Sequence, residues 1–103
     1  MWAQLITTTL KAGHENDLPR LYDQLQAIEQ PGCGLVRSIA MQDQNDRARV
    51  YMLVVFDSED AARARENDPR RRAGLADVRA TMAELFDSPP QFVDLTVIGE
   101  YAG

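Results

Sequence analysis

Hydrophobic and polar positions alternate along this chain in two periods, one typical of strands and one typical of helices. The run 50–56 is apolar throughout and rich in β-branched residues, so a strand there carries apolar side chains on both faces. The acidic stretch 57–60 ends that strand and is suited to starting a helix. The same reasoning predicts strands over 2–11, 35–43 and 92–101.

Apolar residues three and four positions apart predict helices between these strands. Asn16 or Asp17 can cap the first helix, which ends before Pro31. A second helical region opens at 57–58, and the break at 67–69 precedes a longer helix that starts with a proline. The predicted buried stripes are Leu18, Leu21, Tyr22, Leu25 and Ile28 in the first helix and Leu75, Val78, Met82, Leu85 and Phe86 in the last.

The order strand, helix, strand, strand, helix, strand indicates an α+β fold with a four-stranded antiparallel sheet and helices on one face. Length and composition fit one globular domain over residues 1–103. One helical layer covers only one face of such a sheet, yet the strands are apolar on both faces. We therefore expect a second copy of the chain to cover the other face, as a homodimer.

The turn 44–47 predicts a regular hairpin between the second and third strands. In that register Asp43 pairs with Ala48, and Arg37 lies opposite Val54 as the one charged member of an apolar row. We favour a salt-bridged or solvent-reaching arginine at a subunit contact, and the alternative is an anchor for an anionic or enolate oxygen. Both interpretations require a partner group. The full predicted register places Leu35 opposite Phe56, Ile39 opposite Met52 and Met41 opposite Val50.

Charge and composition exclude several classes of function. The net charge of −5 repels nucleic acid and anionic membranes, so neither is an expected partner. No apolar stretch is long enough to span a bilayer and the amino terminus lacks the order of a secretion signal, so we expect a cytoplasmic protein. With one cysteine and one histidine, the chain has no internal disulfide and no cluster of metal ligands.

Four polar side chains are candidates for chemistry. Tyr51 and Arg37 are two of them, and Tyr51 is favoured over the other aromatic residues because its hydroxyl needs a hydrogen-bond partner if it is buried. Histidine is the side chain type suited to acid–base chemistry near neutrality, but for His14 a solvated loop histidine beside acidic residues is favoured over a catalytic base. Asp94 is the only acid inside the fourth strand, where a structural ion pair, with Arg37 for example, is favoured over a base.

Aromatic and basic residues suggest where a ligand would bind. Trp2, Tyr22 and Tyr51 can line an aromatic pocket, although ordinary core packing is the favoured interpretation for each. The arginines of segment 63–72 concentrate positive charge in an otherwise acidic chain. A solvated face is the favoured interpretation of that cluster, and a rim that steers anionic substrates is the alternative.

Three local patterns carry a resemblance to a known family. They are Lys11-Ala12-Gly13, Gln30-Pro31-Gly32-Cys33 and the run 54–65, which leads from the third strand into the short helix. In these patterns the chain resembles the antibiotic biosynthesis monooxygenase family over nearly its whole length. The resemblance implies a ferredoxin-like split βαβ subunit in a dimeric α/β barrel, in which two sheets pack face to face.

The resemblance also implies an activity. Enzymes of that family oxidise small aromatic substrates with molecular oxygen and without metal, flavin or nicotinamide, so no cofactor is expected. An electron-rich phenolate or enolate can itself reduce oxygen if a dry pocket holds it deprotonated. The predicted function is a cofactor-free monooxygenase acting on a small aromatic or quinone-like ligand. The alternatives are a non-catalytic binding or assembly subunit, and an isomerase or cyclase on a related barrel.

The chain departs from the family pattern at two positions of the predicted site. Many relatives carry an aromatic residue, usually tryptophan, at the place of Phe56, and a histidine or tryptophan at the place of Arg65. This chain keeps only the aromatic residue, and we assign both positions to substrate binding as the resemblance implies. The residues at the places that serve haem degradation in one branch of the family, 6–8, Arg65 and Leu75, disfavour that activity.

Overall fold

The computed structural model describes all 103 residues and has the predicted order of elements. The elements are β1 (Trp2–Thr9), α1 (Leu18–Ala27), β2 (Leu35–Gln42), β3 (Arg49–Phe56), α2 (Glu59–Glu66), α3 (Pro69–Leu85) and β4 (Gln91–Thr96). The strands form one antiparallel sheet in the order β2-β3-β1-β4, which is open rather than closed into a barrel. This is the predicted α+β, ferredoxin-like fold.

The helices cover one face of the sheet and bury every second residue of β3. Val50, Met52, Val54 and Phe56 are buried on that face, as the alternation predicts. The larger core cluster joins the sheet to α1 and α3. A smaller cluster of Trp2, Val54, Phe56 and Ala62 joins the sheet to α2.

The helix ends follow the predicted breaks, with one difference at α1. Ser58 accepts a hydrogen bond from the backbone N–H of Ala61 at 3.1 Å, and Asp68 caps α3 ahead of its proline. Asp17 occupies the cap position of α1, but its side chain makes no capping hydrogen bond. Its carboxylate contacts His14 instead, so the predicted cap is correct in position only.

Two strands are shorter than predicted. The β1 strand ends at Thr9, and beyond it the backbone N–H of Leu10 donates to the backbone carbonyl of Ala48 at 2.7 Å and Leu10 forms an isolated bridge to Phe86. The β4 strand ends at Thr96, which pairs with Trp2 at the start of β1. Beyond that pair Val97 makes one backbone hydrogen bond to Met1 at 3.3 Å. No further strand residue lies opposite Ile98, which is almost fully exposed.

The hairpin register differs by one residue from the predicted one. The backbone N–H of Asp43 donates to the carbonyl of Arg49 at 3.0 Å, so the loop covers 44–48 rather than 44–47. The longer loop forms because the Asp43 carboxylate accepts hydrogen bonds from the N–H groups of Asn45 and Asp46, at 2.8 and 3.2 Å. A side chain thus selects a loop that strand periodicity alone does not predict.

The one-residue shift moves part of β2 to the other face of the sheet. Arg37 lies opposite Val55 rather than Val54, and Ile39 and Met41 are shifted in the same way, opposite Leu53 and Tyr51. A bulge between Leu35 and Arg37 absorbs the extra residue, so the predicted pairing of Leu35 with Phe56 is correct. Arg37 therefore belongs to the face without helices.

The face without helices, which we call the open face, is largely apolar. It carries Leu53 and Val55 of β3 at its centre, and the flanking strands add partly exposed apolar side chains. These are Ile39 at 36% exposed, Met41 at 41%, Val93 at 47% and Leu95 at 38%. Both faces are thus apolar, as predicted. The α-helices are all too short or too polar to cross a membrane.

Candidate functional site

A cavity of about 300 Å³ lies between the sheet and the helices, on the covered side. We call it the inner cavity. The sheet contributes aromatic and aliphatic side chains, among them Trp2, Ile6, Phe56 and Phe92. The helices contribute apolar residues of α3 together with polar groups at the α2–α3 junction. Of the 17 residues that line it, 11 are hydrophobic and the others are polar or charged. A cavity of this size and composition suits a small ligand.

The aromatic wall of the inner cavity follows from strand pairing. Trp2 and Phe56 are directly opposite each other in the β1–β3 ladder, and their ring centroids are 6.1 Å apart. Arginines of α2 lie over both rings, with the guanidinium carbon of Arg63 5.2 Å from the centre of the Trp2 ring and that of Arg65 5.3 Å from the centre of the Phe56 ring. The rings are thereby held in fixed positions at one end of the cavity.

Arg65 is part of the cavity wall and is neutralised there. Its Nε donates to both carboxylate oxygens of Glu29, at 2.7 and 3.0 Å. The two side chains are only 17% and 19% exposed, so this is a partly buried ion pair. Arg65 also borders a groove of about 380 Å³ on the outer side, near Tyr22. The pair thus separates the inner cavity from that groove.

Arg71 is a charged residue of the inner cavity that the sequence did not single out as a binding residue. Its Nε is buried without a hydrogen-bond acceptor. Desolvation lowers the pKa of the Arg71 guanidinium, and the positive charge of Arg65 lowers it further. A signal was present in the sequence, because Arg71 precedes the buried stripe of α3 at the same helical spacing, four residues before Leu75 and seven before Val78.

Of the residues predicted for substrate binding, three meet at the inner cavity. They are Trp2, Phe56 and Arg65. The fourth, Tyr22, lines the outer groove, and its hydroxyl donates to the backbone carbonyl of Ser38 at 2.5 Å. Tyr22 is thereby fixed to β2 and does not line the inner cavity.

The four residues predicted as catalytic do not line the inner cavity. Tyr51 and Arg37 belong to the open face, where Arg37 borders a shallow cavity of about 340 Å³. Asp94 pairs with Arg63 at 3.1 Å rather than with Arg37, and it also accepts from Gln4 at 3.0 Å. The ion-pair interpretation of Asp94 is correct, but Arg37 is not the partner.

His14 forms a local pair in the loop before α1. Its Nδ1 lies 2.7 Å from a carboxylate oxygen of Asp17. His14 is not among the residues that line the inner cavity. This placement agrees with the favoured interpretation of a loop histidine.

The sequence pattern of the antibiotic biosynthesis monooxygenase family matches residues 1–77, and the chain belongs to that family. The family defines a class of monooxygenases on the ferredoxin-like fold described above, so a monooxygenase is the general activity that membership supports. A search of curated proteins finds no match to this chain.

Solved structures share the fold at low sequence identity. SnoaB, a cofactor-independent oxygenase from Streptomyces nogalater, is 17% identical with a TM-score of 0.73, covering 96% of this chain and 94% of its own. A protein of unknown function from Nitrosomonas europaea is 18% identical with a TM-score of 0.75, covering 99% and 93%. A Pseudomonas aeruginosa protein is 21% identical with a TM-score of 0.67, covering 95% and 94%. These similarities establish the fold.

Proposed function

We propose that this chain is a cofactor-independent monooxygenase that oxidises a small aromatic or quinone-like substrate with molecular oxygen in the inner cavity. The observation that carries the proposal is the aromatic wall of Trp2 and Phe56 closing a small apolar cavity on the covered side of the sheet. Membership of the monooxygenase family supports the reaction class. The similarity in fold to SnoaB agrees with it.

The chemistry asks little of the protein beyond a dry, shaped cavity. An ionised phenol or enol gives one electron to oxygen, and the resulting carbon radical and superoxide combine into a peroxide at the ring carbon. Loss of water then leaves a carbonyl, so that one anthrone and one oxygen molecule become one anthraquinone and one water. Excluding bulk water strengthens the electrostatic contacts to the ionised substrate.

Oxygen consumption with anthrone, measured against the protein-free rate, tests the proposal. Phe56→Leu keeps the core filled but removes the ring of the aromatic wall, and we expect the rate to fall at least about tenfold through lost positioning. Tyr51→Phe and Arg37→Ala are matched open-face variants and should keep the wild-type rate. Loss of activity in those two instead would place the reaction at the open face and would support Tyr51 and Arg37 as the catalytic residues that the sequence suggested.

Other outcomes would contradict the oxygenase proposal. Ligand binding without any oxygen consumption above the protein-free rate would favour a binding or assembly subunit of the same fold. Turnover under strict anaerobiosis would favour an isomerase or cyclase. Either result would leave the fold and family assignment unchanged.

We propose further that two copies of the chain pack through their open faces as a homodimer. The exposed apolar residues of that face support this, because apolar patches of this kind mark interaction surfaces in proteins. Sedimentation at micromolar concentration should give twice the 11.6 kDa of one chain. Leu53→Glu at the centre of the face should give a monomer, while Ala80→Glu on exposed α3 should not. A wild-type monomer would refute the proposal.

A further inference from the structure

Arg71 lines the inner cavity, and its guanidinium forms no hydrogen bond or ion pair with any group of the protein, although Glu29 and Glu66 lie near enough to attract it. It lies in the first turn of α3, its Nε is buried without an acceptor, and it takes part in none of the ion pairs around it. An isolated charge removed from water is unfavourable unless a counter-ion or hydrogen bonds compensate it. The guanidinium of Arg71 is therefore poised for an anionic partner from outside the chain.

The carboxylates around Arg71 are already engaged by other arginines. Glu29 accepts from Arg65 at 2.7 Å, and Glu66 accepts from Arg63 at 3.1 Å. The neighbouring arginines on α3 are satisfied as well. Arg70 pairs with Asp68 at 2.8 Å, and Arg72 donates to the backbone carbonyl of Glu66 at 3.2 Å. Arg71 is the member of the 70–72 run that is left without a partner.

The surroundings of Arg71 suit an aromatic anion. The guanidinium borders the same cavity as the Trp2 and Phe56 rings and the apolar stripe of α3. A flat, delocalised guanidinium donates to ionised oxygens in a fork that matches a carboxylate, and it does so more strongly in a water-poor site. The other unpaired arginine of the cavity lining, Arg79, is exposed to solvent and lacks this advantage.

We propose that Arg71 binds an ionised oxygen of the ligand, so that the inner cavity selects small aromatic molecules that carry a carboxylate or phenolate over their neutral counterparts. This inference rests on the proposed function, since it names the substrate class of the same cavity. Arg71 here is a binding residue, and the aromatic wall holds the apolar part of the ligand. The solvated-face interpretation of the 63–72 arginines then holds for its other members but not for Arg71.

The test compares 2-naphthoate with neutral 2-naphthamide, which has nearly the same shape, by anaerobic calorimetric titration. In the wild type we expect naphthoate to bind at least about tenfold more tightly than naphthamide, because a hydrogen-bonded charge pair contributes a free energy of that size. Arg71→Met and Arg71→Gln should reduce that ratio to about one while leaving naphthamide binding intact. Arg72→Met is the control. It removes one positive charge from the exposed side chain next to Arg71 in the sequence, and it should keep the wild-type ratio.

Several results would overturn the inference. Equal binding of the two ligands by the wild type, an unchanged ratio in both Arg71 variants, or an equal loss in Arg72→Met would each do so. The inference would also be overturned if neither 2-naphthoate nor 2-naphthamide bound to the wild type. Oxygen consumption with anthrone distinguishes the two proposals, because anion selectivity without oxygen consumption refutes only the oxygenase, and oxygen consumption without anion selectivity refutes only the role of Arg71.

Discussion

Gly74 fixes how closely α1 and α3 approach, and Gly74→Ala is the sharpest test of that packing. A Cβ atom at this position would lie 2.2 Å from Cγ2 of Ile28 and 3.2 Å from its Cβ. Carbon atoms in contact prefer about 3.5–4.0 Å, so the two helices or the isoleucine must move. The isoleucine is β-branched and cannot turn its Cγ2 away freely.

Two opposing effects decide the sign of the change in stability. Alanine in place of glycine inside a helix stabilises by about 1 kcal/mol. Overpacking of a filled contact costs about 1–3 kcal/mol, and a 2.2 Å approach to the Cγ2 atom of a β-branched side chain belongs in the upper part of that range. We expect Gly74→Ala to lower the free energy of unfolding by about 1–2 kcal/mol.

A second substitution isolates the clash. Ile28→Leu removes the Cγ2 atom and keeps the volume, so it should cost less than about 1.5 kcal/mol alone. In the double variant the alanine no longer meets a Cγ2 atom, and its helix preference still favours the folded state. The two substitutions should therefore couple by about 1–2 kcal/mol in a double-mutant cycle.

Urea unfolding followed by circular dichroism measures this cycle, at one fixed protein concentration because self-association affects apparent stability. Ala80→Gly at an exposed position of α3 calibrates the helix-preference effect and should lose about 1 kcal/mol. A stabilised Gly74→Ala single variant would refute the reasoning. Additive effects of the two substitutions would also refute it, because they would show that the alanine and Ile28 do not meet.

The remaining predictions concern charges and caps. The hydrogen bonds from Arg70 lower the pKa of Asp68, so the stability of the wild type should fall as the pH drops below about 3.9, where this carboxylate begins to be protonated in the unfolded chain. Thermal melts at a series of pH values should show a smaller fall for Asp68→Asn. Glu29→Gln leaves Arg65 partly buried without its counter-ion and should cost about 1–3 kcal/mol in urea unfolding, with Glu59→Gln at the exposed Arg63 as the near-neutral control. Ser58→Ala removes the α2 cap and should cost about 1 kcal/mol, measured in the same way.

Sequence reasoning predicted the candidate site in part. Trp2 and Phe56 were assigned to ligand binding, and the structure brings them together because β1 and β3 pair in the register that sets them opposite each other. Arg71 was missed because its neighbours in the chain are also arginines, and only their partners distinguish them. Arg70 pairs with Asp68 and Arg72 donates to the backbone carbonyl of Glu66. The carboxylates of Glu29 and Glu66 are engaged by Arg65 and Arg63.

The sequence by itself determined the element order, the buried face of β3 and the two helix breaks, because periodicity, caps and prolines act over a few residues and follow from backbone geometry. Only the tertiary structure decided the register of β2, the end of β4 and the partner of Asp94. A single extra loop residue turned Arg37 to the opposite face of the sheet, since strand side chains alternate. Which charge is left unpaired depends likewise on contacts between distant segments, and local patterns do not encode these.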